Sequence, residues 1–156
     1  MEFYGLLGEK LSHSLSPEIH SEILKLMKKE GAYKLFEVNR DRIKDFTEAL
    51  KLLKIKGCNV TIPYKKDIMK YVDIISDEAN KIGAINTVYL NEGKLYGYNT
   101  DYFGFGYMLK VSNIDVKDKI AVILGNGGAS RAVLHYLLDN NAKEVSGLLL
   151  RVTPKY

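Results

Sequence analysis

Short apolar runs alternate with amphipathic stretches from one end of this chain to the other. That alternation restricts it to an α/β architecture with a largely parallel sheet. Residues 3–7 and 33–38 read as strands, the first followed by a polar loop over 8–15. Between them, Ser16 before Pro17 has the order of a helix N-cap and first helical residue, and Ile19, Ile23, Leu24 and Met27 fall on the inward face of a helix ending near Gly31. Ile43, Phe46, Leu50 and Leu53 mark a second helix that stops before Gly57. In 58–62 the period of two sets Cys58, Val60 and Ile62 on one face of a strand and Asn59 and Thr61 on the other. Residues 66–81 read as broken helix, 84–90 and 94–98 as strands joined by a turn at Asn91, Glu92 and Gly93, and 102–110 as a helix.

A polar, aperiodic stretch over 112–119 reads as a linker. After it, 120–124 is wholly apolar, the pattern of a strand covered on both faces. Gly125, Gly127 and Gly128 follow, then a helix over 129–138 with Val133, Tyr136 and Leu137 inward, and a second strand over 142–150. The boundary expected from this reading divides the chain into 1–111 and 112–156.

Composition narrows the function classes. A formal net charge of +4 suits an acidic small molecule, and the basic residues form no dense stripe of the kind a nucleic-acid binder gathers. The single cysteine, Cys58, cannot form an internal disulfide, and no paired Cys/His spacing suggests zinc, which points to the cytoplasm. The first ten residues lack a basic segment followed by an apolar run, and no window approaches ~20 apolar residues, so neither secretion nor a membrane span is expected. His13 and His20 have no third ligand in sequence reach. They read as surface histidines, and no metal is expected.

Two constellations could carry chemistry. The loop Gly125-Asn126-Gly127-Gly128-Ala129-Ser130-Arg131 lies between an apolar strand and a helix start, where glycines let backbone N–H groups and the helix dipole meet a pyrophosphate. Ser130 stands where the common fingerprint has its third glycine, so a plain strand-to-helix turn is the competing account. No acidic residue closes the second strand to hold a ribose hydroxyl. Arg151, with Arg131, is placed either to meet a 2′-phosphate, favouring NADP, or simply to face solvent. In the second constellation, Asn59-Val60-Thr61-Ile62-Pro63-Tyr64-Lys65 delivers Lys65 to the C-terminal edge of a strand, where ligands of open α/β sheets bind. Lys65 either moves a proton there or is an ordinary helix-starting lysine. Asp101, in Asn99-Thr100-Asp101, is either its partner on a neighbouring strand end or a helix N-terminal acid. Asn86-Thr87 adds an amide and a hydroxyl within a strand, and Ser14 and Ser16 add two hydroxyls in the first loop.

Taken in order and spacing, Ser14-Leu15-Ser16-Pro17, Asn59 to Lys65, Gly83-Ala84-Ile85-Asn86-Thr87, Asn99-Thr100-Asp101 and the glycine loop resemble shikimate dehydrogenase, over residues 4–145. The resemblance implies an N-terminal α/β sheet domain that binds substrate, followed by the first βα(β) unit of an incomplete Rossmann domain. It implies NADPH-dependent reduction of 3-dehydroshikimate to shikimate on the way to aromatic amino acids. Ser14, Ser16, Thr61, Lys65, Asn86 and Asp101 would bind the substrate, Lys65 and Asp101 would form the catalytic pair, and Gly125, Asn126, Gly127, Gly128, Ala129 and Arg151 would bind NADP. Tyr102 and Phe103, bulkier than the family pattern after the aspartate, are expected at the pocket edge. The segment after the linker has roughly 40 residues where a complete dinucleotide domain needs roughly 150. The expectation is therefore a shortened dehydrogenase of weak or no activity. The competing readings are an NAD-using quinate/shikimate dehydrogenase and a non-catalytic fragment that binds shikimate-like acids or pairs with a second copy through its open sheet edge.

Overall fold

Strand β1 (Glu2–Gly8) lies at the inside of a six-stranded sheet, and the elements around it follow from what it buries. A computed structural model describes residues 1–148 of the chain. The sheet order is β2-β1-β3-β5-β6-β4, with β2 Gly31–Glu37, β3 Gly57–Val60, β4 Ile74–Ile75, β5 Thr87–Asn91 and β6 Lys94–Tyr98. The strands run parallel except for β5, which is antiparallel to both β3 and β6. The sheet is thus more mixed than the alternation predicts, because β5 and β6 form a hairpin through Glu92 (φ 49°) and Gly93 (φ 75°), the two left-handed residues of a tight turn.

One face of the sheet carries the main core. Leu7, Cys58, Val60, Val88 and Leu95 pack with Ile43, Phe46 and Leu50 of helix α2 (Ile43–Leu52), with Ile68 of a short 3-10 turn (Asp67–Tyr71), and with Ala79 of helix α3 (Asp77–Ile82). Tyr64 is fully buried there, its hydroxyl donating to the Val38 carbonyl at 2.6 Å, so the burial strands no polar group. The stretch expected as broken helix over 66–81 is therefore a 3-10 turn, strand β4 and helix α3. Ser76 caps α3 by accepting from the Ala79 N–H, and Gly83 ends it in the left-handed conformation (φ 70°). Cys58 is 2% exposed, and burial pushes its thiol up to about 12. We expect a disulfide reagent at neutral pH to titrate no thiol in the folded chain and one in guanidinium; a reactive native thiol would contradict this packing.

Several periodic signals were right about the element and wrong about its cover. Helix α1 (Ser16–Leu26) packs at the β2 edge and buries only Leu24, while Ile19 (54%), Ile23 and Met27 remain exposed. At a sheet edge only the residues directly above the last strand find a partner. Leu15 takes the N-cap position, its carbonyl accepting the Ile19 N–H at 3.1 Å, so Ser16 is the first helical residue. Strand β3 ends at Val60. The chain then turns, the Tyr64 N–H donating to the Thr61 carbonyl, and Ile62 points outward at 74% exposure rather than inward with Cys58. Leu53 lies past the end of α2 and is exposed.

Helix α4 (Thr100–Val111) leads through residues 112–119 to a second, two-stranded parallel sheet of β7 (Ile120–Leu124) and β8 (Glu144–Leu148), joined by helix α5 (Gly128–Asp139). Only one face of β7 is covered: Ala121 and Ile123 are half-buried, whereas Ile120, Val122 and Leu124 are exposed. The two-sided burial expected of 120–124 thus has its counterpart on one side, where, among the described residues, helix α5 packs on β7. In α5, Ala132 and Leu137 are buried and Val133 and Tyr136 are half-buried. Tyr136 lies against Gly106 of α4, where a Cβ would come within 2.2 Å of its ring, and meets Tyr102 and Phe105 edge-on. Lys81 of α3 pairs with Asp139, which also accepts from the Tyr102 hydroxyl at 3.0 Å.

Candidate active site

The antiparallel course of β5 builds the site. Strands β3 and β6 end on the same edge, and β5 starts between them, so Lys65 after β3, Asn86 before β5 and Asp101 after β6 converge there although β3 and β6 are not neighbours. The backbone holding them is hydrogen-bonded on both sides. The Asn86 carbonyl accepts the Val60 N–H at 2.7 Å, the Asn86 N–H donates to the Tyr98 carbonyl at 3.0 Å, and the Lys65 carbonyl accepts the Ile85 N–H at 2.7 Å. Asn99 is completely buried; its side chain donates to the Ala84 carbonyl and accepts the Asp101 N–H, capping α4 and aiming Asp101.

Lys65 Nζ donates to Asp101 Oδ2 at 2.6 Å, with the two side chains 16% and 32% exposed. Asp101 Oδ1 accepts from Asn86 Nδ2 at 2.8 Å. Asn86 Oδ1 in turn accepts the Thr100 N–H at 2.9 Å and the Thr87 hydroxyl at 3.0 Å, which settles which end of the amide is oxygen. Chemically, this is an ammonium beside a carboxylate whose second oxygen is already held by an amide. Such a pair can donate to a carbonyl oxygen and accept from a neighbouring hydroxyl at once.

From Asn86 the polar contacts continue away from the ion pair. Asn59 Nδ2 lies 3.4 Å from Thr87 Oγ1, the Tyr33 hydroxyl donates to Asn59 Oδ1 at 2.9 Å, and the Tyr33 ring stacks on His20 at 3.9 Å. His20 Nδ1 is 2.9 Å from the Ser16 carbonyl, and the Ser14 hydroxyl donates to Ser16 Oγ at 3.1 Å. His20 is thus half-buried in this line rather than a surface residue; His13 is exposed. Thr61 is half-buried next to Gly8, on the same strand end as Asn59. Sequence patterning had put Asn59 on the polar face of its strand without assigning it a role, and it gave no signal for Tyr33, whose place depends on β2 register.

Gly125 (φ 122°) and Gly127 stand in open space, where a Cβ would meet nothing within 4 Å. Gly127 occupies the N-cap position of α5, which no side chain caps, and the loop opens on a cavity of about 190 Å³ lined by Gly125, Asn126, Ser130 and Arg131. Ala129 is exposed. Gly128 abuts Lys65, a Cβ there falling 3.1 Å from Lys65 Cδ, so the glycine loop reaches the ion pair directly. Tyr102 donates its hydroxyl to Asp139 of α5 and lines a cavity with Lys81 and His135, and Phe103 is exposed. Arg151 lies outside the described residues. Among the described residues no group of three or more His, Cys, Asp or Glu side chains could hold a metal ion, and no helix is long and apolar enough to cross a membrane.

Residues 6–88 match the family described as the shikimate dehydrogenase substrate binding domain. The shikimate dehydrogenase (NADP(+)) of Clostridium beijerinckii is 62% identical over 145 residues, which cover 93% of this chain and 54% of that protein. Among solved structures, shikimate dehydrogenase 1 from Peptoclostridium difficile is 54% identical with a TM-score of 0.89, covering 94% of this chain and 56% of that one. The Thermus thermophilus enzyme in complex with NADP(H) and shikimate is 35% identical with a TM-score of 0.86, again over 94% of this chain and 56% of the other. The chain spans about half the length of the curated relatives it matches. With the matched segment running from β1 into β5 and including Lys65 and Asn86, this chain belongs to the shikimate dehydrogenase substrate-binding domain family.

Proposed function

We propose that this chain binds shikimate and 3-dehydroshikimate at the Lys65–Asp101 edge and contributes this site to NADPH-dependent interconversion of the two. The observation that carries the reading is the 2.6 Å ion pair with Asn86 on the second carboxylate oxygen. Residues 1–111 form the substrate-binding unit in this reading, and 112–156 the opening of the nucleotide-binding unit.

A polyhydroxylated carboxylate needs several oriented donors and acceptors, which Ser14, Ser16, Thr61, Asn86, Lys65 and Asp101 provide. Reduction of the 3-oxo group builds negative charge on its oxygen. Lys65 meets that charge with an ammonium N–H and delivers the proton, while Asp101 accepts from an adjacent substrate hydroxyl and holds Lys65 in place. NADPH, when bound, supplies the hydride. The chain's own residues fit the dinucleotide's pyrophosphate: Gly125, Asn126, Gly127, Gly128 and Ala129 surround an uncapped helix N-terminus that opens on a cavity, with Arg131 beside it. The exposed Ile120, Val122 and Leu124 face of β7 supports a second copy of the chain as a macromolecular partner, and the reading places the protein in the cytoplasm.

Calorimetric titration with shikimate is expected to reveal one site, and NMR spectra to show the amides around 65, 86 and 101 shifting with shikimate and those of 125–129 with NADP⁺. No heat and no shift with millimolar shikimate defeats the proposal. A larger response to NAD⁺ than to NADP⁺ replaces the cofactor assignment.

A further inference from the structure

We infer that Tyr33 is a positioning residue for this site: its hydroxyl orients the Asn59 amide so that Asn59 presents N–H, not C=O, to the edge carrying Thr87, Asn86 and Asp101. The inference rests on the binding function proposed above and adds to it a residue two strands away from the nearest side chain it controls.

The direction of each hydrogen bond decides the point. The Thr100 backbone N–H can only donate, so Asn86 Oδ1 is an acceptor, and its Nδ2 faces Asp101. The Thr87 hydroxyl donates to that same Oδ1 at 3.0 Å and is therefore left to accept from Asn59. The Tyr33 hydroxyl donates to Asn59 Oδ1 at 2.9 Å, which fixes that end of the amide and turns Nδ2 toward Thr87 at 3.4 Å. Without that donor the amide is free to turn over. Asn59 oxygen would then compete for the Thr87 proton and withdraw it from Asn86, one contact from the ion pair.

Tyr33 is itself held. It reaches across β1 from β2, the sheet order placing β1 between it and Asn59. His20 stacks on its ring with an interplanar angle of 19°. Because the Ser16 carbonyl can only accept, His20 Nδ1 is the protonated nitrogen of the ring. His20 and Tyr33 together thus brace the Ser14–Ser16 loop against the strand edge, keeping two halves of the polar lining in one register. Burial raises the Tyr33 hydroxyl above its ordinary pKa, so it remains a donor through the neutral and mildly alkaline range.

Tyr33→Phe keeps the stacked ring and removes only the hydroxyl. In the ligand-free chain the Asn59 side-chain amide resonances are expected to move, and the shikimate dissociation constant to rise roughly 5- to 15-fold. Combined with Asn59→Ala, Tyr33→Phe is expected to add no further loss, whereas a purely structural role would add its loss to that of Asn59→Ala. Unmoved Asn59 resonances, unchanged affinity in Tyr33→Phe or additive losses overturn the inference. If Tyr33→Phe does not fold, Asn59→Asp takes its place: it keeps the acceptor for Tyr33 and removes the N–H, and retained affinity overturns the inference equally. Failure of the binding function itself is distinguishable, since shikimate then gives no heat with the unaltered chain while the Asn59 resonances still report on Tyr33.

Discussion

Asp101→Ala is expected to weaken shikimate binding by roughly 30- to 150-fold, the equivalent of about 2–3 kcal/mol for a lost charged acceptor. Two consequences of the geometry combine. The carboxylate is the acceptor the substrate hydroxyl would use, and it is also what holds the Lys65 ammonium at 2.6 Å and the Asn86 amide at 2.8 Å. Once it is removed, two donors point into the site with no acceptor, and the partly buried Lys65 loses its counter-charge. Lys65→Met makes the contrasting case. Asp101 keeps Asn86 and part of its solvent contact, so shikimate affinity is expected to fall by less than about tenfold, while whatever turnover the chain supports with NADPH and 3-dehydroshikimate falls by about 10²–10⁴. Calorimetry on both variants and steady-state NADPH oxidation on the second provide the check. Equal affinity in Asp101→Ala and the unaltered chain would remove Asp101 from the site.

Gly5→Ala is expected to cost about 3 kcal/mol of stability and to lower the melting temperature by about 10 °C. Gly5 lies in β1 with partners on both sides, and a Cβ there would fall 2.2 Å from the Phe36 ring and 2.5 Å from the Lys34 carbonyl oxygen. The ring can move only by disturbing its packing against Phe46, and the carbonyl belongs to the backbone of β2. Gly104→Ala is the same chemical change with the opposite expected sign: its Cβ would meet nothing within 4 Å on an exposed turn of α4, where alanine is favoured over glycine by about 1 kcal/mol. Thermal melts of the two variants should move in opposite directions. Similar destabilisation by both would mean that β1 and β2 do not approach as closely as described.

The mistaken expectations share one cause. Ile62 alternates correctly with Cys58 and Val60, yet the strand ends before it, because the Thr61–Tyr64 turn takes over the backbone. Ile19, Ile23 and Met27 form a helical stripe, but α1 sits at a sheet edge that covers only Leu24. The apolar run of β7 signals burial on two sides, and among the described residues α5 covers one, leaving Ile120, Val122 and Leu124 exposed. Periodicity reports what a side chain could pack against, and the neighbour decides whether it does.

The candidate site divides along the same line. Lys65 and Asp101 were readable as residues that follow strands, because proline and the Asn-Thr-Asp cap mark strand ends locally. Their 2.6 Å contact was not readable, since it depends on β5 running antiparallel between β3 and β6 and placing Asn86 in the gap. Tyr33 and His20 lay further still from any local signal. Strand and helix identity outside 66–81, the polar face of β3 and the glycine turn are properties of contiguous residues, set by side-chain period and backbone freedom, and the sequence determined them unaided; the two-residue strand β4 within 66–81 exists only through its pairing with β6. Which strands neighbour one another, which apolar faces find cover and which amide meets which hydroxyl involve groups tens of residues apart. Only the assembled sheet decided these, because hydrogen bonds and burial are satisfied between whatever surfaces the topology brings into contact.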